Sequence, residues 1–161
     1  MRTGLACLLV IALGNLRVAR ADDRSEKGSI GLGVMVGEPV AVCGRLYVKD
    51  DQAIQAAAGL AFLADGLVLQ ADYVFHPYIL QTRDSFVLAT YVGPGARVIR
   101  YNAASGDFVA IGARVVGGLL FDFKNPLDAF VEVAGIGEFG FKSGEGFGLA
   151  INIAAGVRYY F

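Results

Sequence analysis

The chain lacks any apolar run long enough to cross a bilayer as a helix, for which about 18 uncharged residues are needed. Even the apolar segment from Val109 to Phe121 is interrupted by Arg114. Cysteine is equally scarce, with Cys7 and Cys43 the only two. Cys7 lies inside an N-terminal apolar run instead of at its end, which argues against lipid attachment, and Cys43 alone makes no intramolecular disulfide. The single histidine, His76, cannot combine with that cysteine into a metal-ligand set, and no motif points to a cofactor. A basic surplus is missing too, which excludes nucleic acid as a partner.

What is present begins with a leader. Arg2 supplies positive charge, residues 5–13 form the apolar run, and Ala19-Arg20-Ala21 gives a small-x-small cleavage site. Residues 1–21 therefore read as a secretory signal peptide. Its removal leaves 140 of the 161 residues, starting at Asp22, with 22–27 as a short periplasmic segment and 28–161 as one domain. Three of the 14 basic residues leave with it, so 11 remain against 15 acidic ones, a balance of −4. Hydrophobic residues make up 55% of the chain and its mean hydropathy is +0.54. So apolar a chain without spanning helices needs either a very large core, which 140 residues cannot build, or a barrel whose apolar side faces lipid.

Turn signals divide the domain at regular intervals. They fall at Gly37-Glu38-Pro39, Lys49-Asp50-Asp51, Ala64-Asp65-Gly66, 76–84, 102–107, Lys124-Asn125-Pro126 and 142–146. Seven connections predict eight strands, near 29–36, 40–48, 53–63, 67–75, 85–100, 108–123, 127–139 and 147–161. Within them side chains alternate. Ile30, Leu32, Val34 and Val36 oppose Gly31 and Gly33, while Val40, Val42, Leu46 and Val48 oppose Cys43, Arg45 and Tyr47. Leu67, Leu69, Tyr73 and Phe75 oppose Gln70, Asp72 and His76; Val131 and Val133 oppose Phe130 and Glu132. Every charge within the strands is expected opposite the apolar stripe.

The sense of the alternation follows from the polar side, which is mostly Gly, Ala and Ser with few charges. A soluble sheet would turn many more Lys, Glu and Thr to water. The fold class expected is all-β, an antiparallel up-and-down transmembrane β-barrel of about eight strands with a cramped interior. Arg45, Arg97, Arg114 and Arg158 then face inward with Asp72, Glu132 and Glu138, and the cost of burying unpaired charge predicts an ion-pair network plugging the lumen. Arg114 and Glu132, on neighbouring strands, are expected at similar depth.

Two motifs carry little weight. His76 lies before Pro77 with Asp84 and Ser85 nearby, residue types a hydrolase could use, but nothing fixes their geometry and His76 reads as a loop residue. Gly135-x-Gly137-x-x-Gly140 matches a dinucleotide pattern formally, yet leads from strand to strand and not into a helix. The C-terminus is more specific. Phe161 ends the chain, preceded at alternate positions by Tyr159, Val157 and Ile153, and this resembles the closing strand presented to the barrel assembly machinery of bacterial outer membranes. Tyr159, Tyr160 and Phe161 are expected in an interfacial aromatic girdle.

These residues resemble the small single-domain outer-membrane proteins of the OmpA transmembrane domain and OmpX superfamily. The resemblance rests on the opening Gly31-Leu32-Gly33-Val34-Met35-Val36-Gly37-Glu38-Pro39, on Ala71-Asp72-Tyr73-Val74-Phe75-His76, and on the closing Gly156-Val157-Arg158-Tyr159-Tyr160-Phe161. It implies both termini in the periplasm and the first, third, fifth and seventh connections outside the cell. Those connections are short, unlike those of adhesin-like members. The function expected is a non-enzymatic outer-membrane barrel with a structural or envelope-integrity role, monomeric, with outer-membrane lipid and the assembly machinery as its partners. The rivals are a soluble periplasmic barrel binding lipid or a small ligand, and a membrane-embedded lipid-modifying enzyme.

Overall fold

The computed structural model describes residues 28–63, 65–102, 107–141 and 146–161. The signal-peptide and periplasmic-segment readings of 1–27 lie outside these, as do parts of three turns. The described chain is all β. Its strands are β1 (Ile30–Gly37), β2 (Val40–Lys49), β3 (Gln52–Ala61), β4 (Gly66–Phe75), β5 (Ile79–Thr82), β6 (Phe86–Tyr101), β7 (Phe108–Phe123), β8 (Leu127–Gly140) and β9 (Phe147–Tyr160).

Short turns make successive strands antiparallel neighbours. The β1–β2 turn depends on Gly37, whose φ of +132° disfavours any L side chain and whose added Cβ would stand 2.3 Å from the Ile153 carbonyl oxygen. At the β3–β4 turn Asp65 takes φ 42°, a region that aspartate tolerates better than most residues. Pairing of β1 with β9 and of β4 with β6 joins eight strands into a ring, so the sheet closes into a barrel.

The predicted connection 76–84 contains an additional strand. Pro77 cannot donate to a ladder and ends β4, but β6 runs well past Val92, the partner of Phe75. The overhanging residues of β6 need a neighbour, and β5 supplies it, with Thr82 opposite Val87 and Ile79 opposite Ala89.

Register around the ring fixes the barrel's shape. Stepping from partner to partner, Val157 leads to Val34, Val42, Ala58, Leu69, Val98, Ile111, Phe139 and finally Phe147, which is on β9 again. The return is ten residues from the start, a shear of ten. With eight strands this tilts them by about 40° and leaves an interior just wide enough for side chains to fill.

All nine residues on that circuit point outward and none is polar. Its valines, leucine, isoleucine and phenylalanines are 40% to 72% exposed. Large aromatics on the outer face stand toward the strand ends: Phe62, Phe139, Phe141 and Phe147 at one end, Phe75, Phe121, Tyr159 and Phe161 at the other. The two groups are separated by roughly 25 Å along the axis, given the rise per residue and the tilt. One charge departs from the expected placement. Arg100, one residue from the end of β6, is on the outward face, where it pairs with Asp107 at 2.7 Å.

The lumen is packed by setting rings against glycines. Added Cβ atoms at Gly31, Gly118 and Gly156 would come within 2.7 Å of the rings of Tyr160, Tyr91 and Phe130 respectively. An apolar cluster including Met35, Ala53, Val74, Val116, Leu120 and Phe130 fills the space between the polar groups.

Candidate functional site

The polar side chains converge inside the barrel, because each is on the inward parity of its strand. Arg45, Arg97, Arg114 and Arg158 are all buried, as are Asp72, Asp128 and Glu132, while Glu138 is partly open toward the β8–β9 end. Four cations thus share the lumen with four carboxylates.

Arg114 forms the centre. Its Nε is 3.0 Å from Asp72 Oδ1 and its guanidinium donates to Glu132 Oε1 at 3.3 Å. Gln55 joins the two acids, its amide donating to Asp72 Oδ2 at 3.0 Å and to Glu132 Oε2 at 3.2 Å. Tyr91 donates to the same Glu132 oxygen at 2.8 Å. These contacts offset part of the desolvation that makes buried ions costly, while Arg114 Nη1 keeps no hydrogen-bond partner.

Nearer the termini, Arg158 donates to Asp128 through Nε at 3.0 Å and through NH2 at 3.1 Å, in fork geometry. Tyr160 donates to Asp128 Oδ2 at 2.6 Å, and the guanidinium of Arg158 lies 4.0 Å from the centre of the Phe130 ring. Toward the other end Arg97 donates to Glu138 Oε2 at 2.9 Å and to Asn152 Oδ1 at 3.2 Å, and Tyr101 also donates to Glu138.

Arg45 differs from the other three. It donates to Gln55 Oε1 at 2.6 Å and to His76 Nε2 at 3.4 Å, and stands 4.6 Å over the Tyr91 ring. An arginine only donates and a carbonyl only accepts, so His76 accepts at Nε2 and donates from Nδ1 to the Asp51 carbonyl at 3.2 Å. The acids serving Arg97, Arg114 and Arg158 lie on other strands, and no carboxylate is within ion-pair distance of Arg45 among the described contacts.

Three placements depart from the sequence expectation. His76, expected in a loop, is buried in the lumen, while Ser85 and Asp84 stand exposed in the β5–β6 turn. Tyr160, assigned to an outer girdle, points inward onto Asp128; Tyr159 and Phe161 do face outward, as do Ile153 and Val157. Asp128 was missed although it falls inside the strand expected over 127–139. It shares the parity of Phe130 and Glu132, which was the available signal.

The void bordered by Met35, Cys43, Gln55, Asp72, Phe130 and Arg158 measures about 10 Å³, the space of one water. The middle of the lumen is therefore a packed polar network. A larger cavity of about 260 Å³ opens at the terminal end among Gly28, Tyr47, Lys49, Asp122 and Tyr160. No group of three His, Cys, Asp or Glu side chains suited to a metal ion occurs among the described residues. The chain matches no family model, no curated protein and no solved structure. What the geometry defines is a class: a closed eight-stranded antiparallel β-barrel, apolar outside and polar within.

Proposed function

We propose that the mature chain is an integral protein of a bacterial outer membrane, with a structural or envelope-integrity role and no enzymatic activity. The observation that carries this reading is the apolar circuit of outward side chains running unbroken from Val157 to Phe147. A belt of roughly 25 Å around eight strands spaced about 4.8 Å apart presents on the order of 1,000 Å² of apolar surface. Water-soluble monomers rarely expose a contiguous patch above a few hundred Å². A bilayer removes that cost, and the aromatic groups at the two ends match the interfacial girdles of such proteins.

The packed lumen supports a role that needs no passage through the barrel. Arg114, Asp72 and Glu132 fill its middle and hold opposite walls together. In the orientation implied by OmpA-like and OmpX-like proteins, both termini face the periplasm and the β1–β2, β3–β4, β6–β7 and β8–β9 connections face outward. The final strand, with Ile153, Val157, Tyr159 and Phe161 on its lipid side, then serves as the assembly signal.

Fractionation of cells expressing the full chain tests the reading. Recovery in outer-membrane fractions, resistance to urea washing and heat-dependent migration on a denaturing gel are expected. Release by osmotic shock as a folded monomer stable in detergent-free buffer would overturn it and favour a soluble ligand-binding barrel.

A further inference from the structure

The apolar belt is not equally tall all round. β1 and β2 have 8 and 10 residues, whereas β6 and β7 have 16 each. With strands tilted by about 40°, each residue adds roughly 2.5 Å along the barrel axis, and each ladder step from strand to strand shifts height by roughly 3 Å. At the terminal end the edges are level. Phe121 is three ladder steps from Val34, through Val157 and Ala129, which raises it by roughly 9 Å; Ile30, four residues along β1 from the same Val34, stands roughly 10 Å higher. At the other end they are not. Four ladder steps lead from Val40 through Leu60, Leu67 and Arg100 to Val109, which puts the far edge of β7 roughly 12 Å beyond that of β2. The outward apolar face therefore measures roughly 20 Å on β2, from Val40 to Val48, and roughly 30 Å on β7, from Val109 to Phe121.

The low wall ends in the Gly37-Glu38-Pro39 turn, whose carboxylate accepts from the Leu63 N–H at 3.0 Å. The outward side chains of β1 and β2 include no aromatic ring, so the girdle of Phe62, Phe139, Phe141 and Phe147 has a gap there. Beside the turn β9 runs on toward Phe147 with no partner strand on its β1 side among the described residues. Ile153 accepts from the Glu38 N–H, so the backbone groups of Phe147, Leu149 and Ile151 face that way too. A bilayer of uniform thickness matched to β7 would hold the turn roughly 10 Å deep in hydrocarbon, and the unpaired edge of β9 with it. Hydrocarbon excludes unpaired backbone and makes a carboxylate expensive.

Tilting the barrel does not absorb the difference, because two parallel planes cut a tilted cylinder to the same length on every side. Lowering the whole bilayer surface to the β1–β2 edge would instead strip lipid from Phe62, Val109, Phe139 and Phe147 on the other strands. We infer that the β1–β2 wall is a membrane-thinning face, holding the bilayer surface on the side of the β1–β2 turn roughly 10 Å closer to the terminal end than β7 holds it. The partner that fits it is a patch of bilayer lipid whose acyl chains are short or compressed. The inference rests on the membrane reading above. A second copy seated on the low wall is the rival way to hide a short belt. It fits worse, since two low walls face to face leave both Glu38 turns at the same depth with no water brought nearer.

The chain has no tryptophan, so single-tryptophan variants report local depth. Val36 and Val115 are both 61% exposed and, by the same ladder steps, stand at about the same height on the low and the tall wall. The mature Val36→Trp and Val115→Trp chains are refolded in dioleoylphosphatidylcholine vesicles, and depth is read with phospholipids brominated at successive chain positions and with aqueous acrylamide. The Val36→Trp indole is expected roughly 10 Å nearer the headgroups, with its emission shifted to the red. In dilauroylphosphatidylcholine, whose shorter chains suit the low wall, the difference should shrink to about half or less. Val40→Trp and Ala113→Trp, whose positions lie within roughly 3 Å of each other in height, repeat the comparison should one of the first pair fail the heat-dependent gel shift. Equal depths in a folded pair, or a difference unchanged between the two lipids, overturn the thinning face. So does a Val36→Trp indole shielded from both quenchers, which would place a second copy there. A chain that folds in plain buffer overturns instead the membrane reading on which the inference rests.

Discussion

Replacing Asp128 with alanine removes the one carboxylate that receives both Arg158 and Tyr160. Arg158 is almost fully buried, donates to Asp128 through two nitrogens, and lies over the Phe130 ring. Removing one partner of a buried ion pair typically costs about 3–5 kcal/mol, because the other charge is left without compensation. The Tyr160 hydroxyl loses the same acceptor, which adds to this less than additively, since both donors share it. With a denaturant slope of about 2 kcal/mol/M, the urea midpoint should fall by about 1.5–2.5 M. The assay is equilibrium unfolding of the refolded barrel in lipid vesicles, read by the heat-dependent gel shift. Asp50→Asn, in the exposed β2–β3 turn, serves as control and should shift stability by less than about 0.5 kcal/mol. Asp128→Leu combined with Arg158→Met should recover most of the loss, because an apolar pair of similar volume avoids the desolvation cost. A loss below about 1 kcal/mol for Asp128→Ala would refute the claim that this pair is held dry inside the barrel.

Val42→Arg places a charge on the mid-height outer face, 65% exposed in the barrel, and should cost about 2–4 kcal/mol in lipid vesicles, whereas Leu63→Lys at the β3–β4 turn should cost about 1 kcal/mol or less. Equal effects in urea titrations would mean that the outer face does not touch hydrocarbon. Leu149→Pro should leave folding intact, since the lost N–H faces the unpartnered edge of β9, while Val133→Pro, within the β7–β8–β9 ladders, should abolish the gel shift. Gly118→Ala drives a methyl to 2.5 Å from both the Tyr91 ring and the Val131 carbonyl oxygen and should cost about 1–3 kcal/mol. Gly135→Ala, with nothing within 4 Å, should stay within about 0.5 kcal/mol by the same titration.

The sequence by itself determined which face each side chain takes. Alternation is local: a residue such as Arg114 between Ala113 and Val115 can be assigned inward from its strand alone, and seven turn clusters delimit eight strands without reference to their partners. The same parity rule places Asp128 and Tyr160 inward; Asp128 was passed over within its strand, and Tyr160 was grouped with Tyr159 and Phe161 in the outer girdle. Height is a different quantity. Whether Arg158 meets Asp128, whether Arg45 finds a carboxylate, and whether β9 has a neighbour as far back as Phe147 all depend on the stagger between strands. That stagger is fixed only when β1 meets β9 and β4 meets β6 with a shear of ten. Closure is a condition on the whole ring, so no single strand's sequence reveals it. It left β6 with an overhang for β5 to cover and β9 with an edge that β1 is too short to reach.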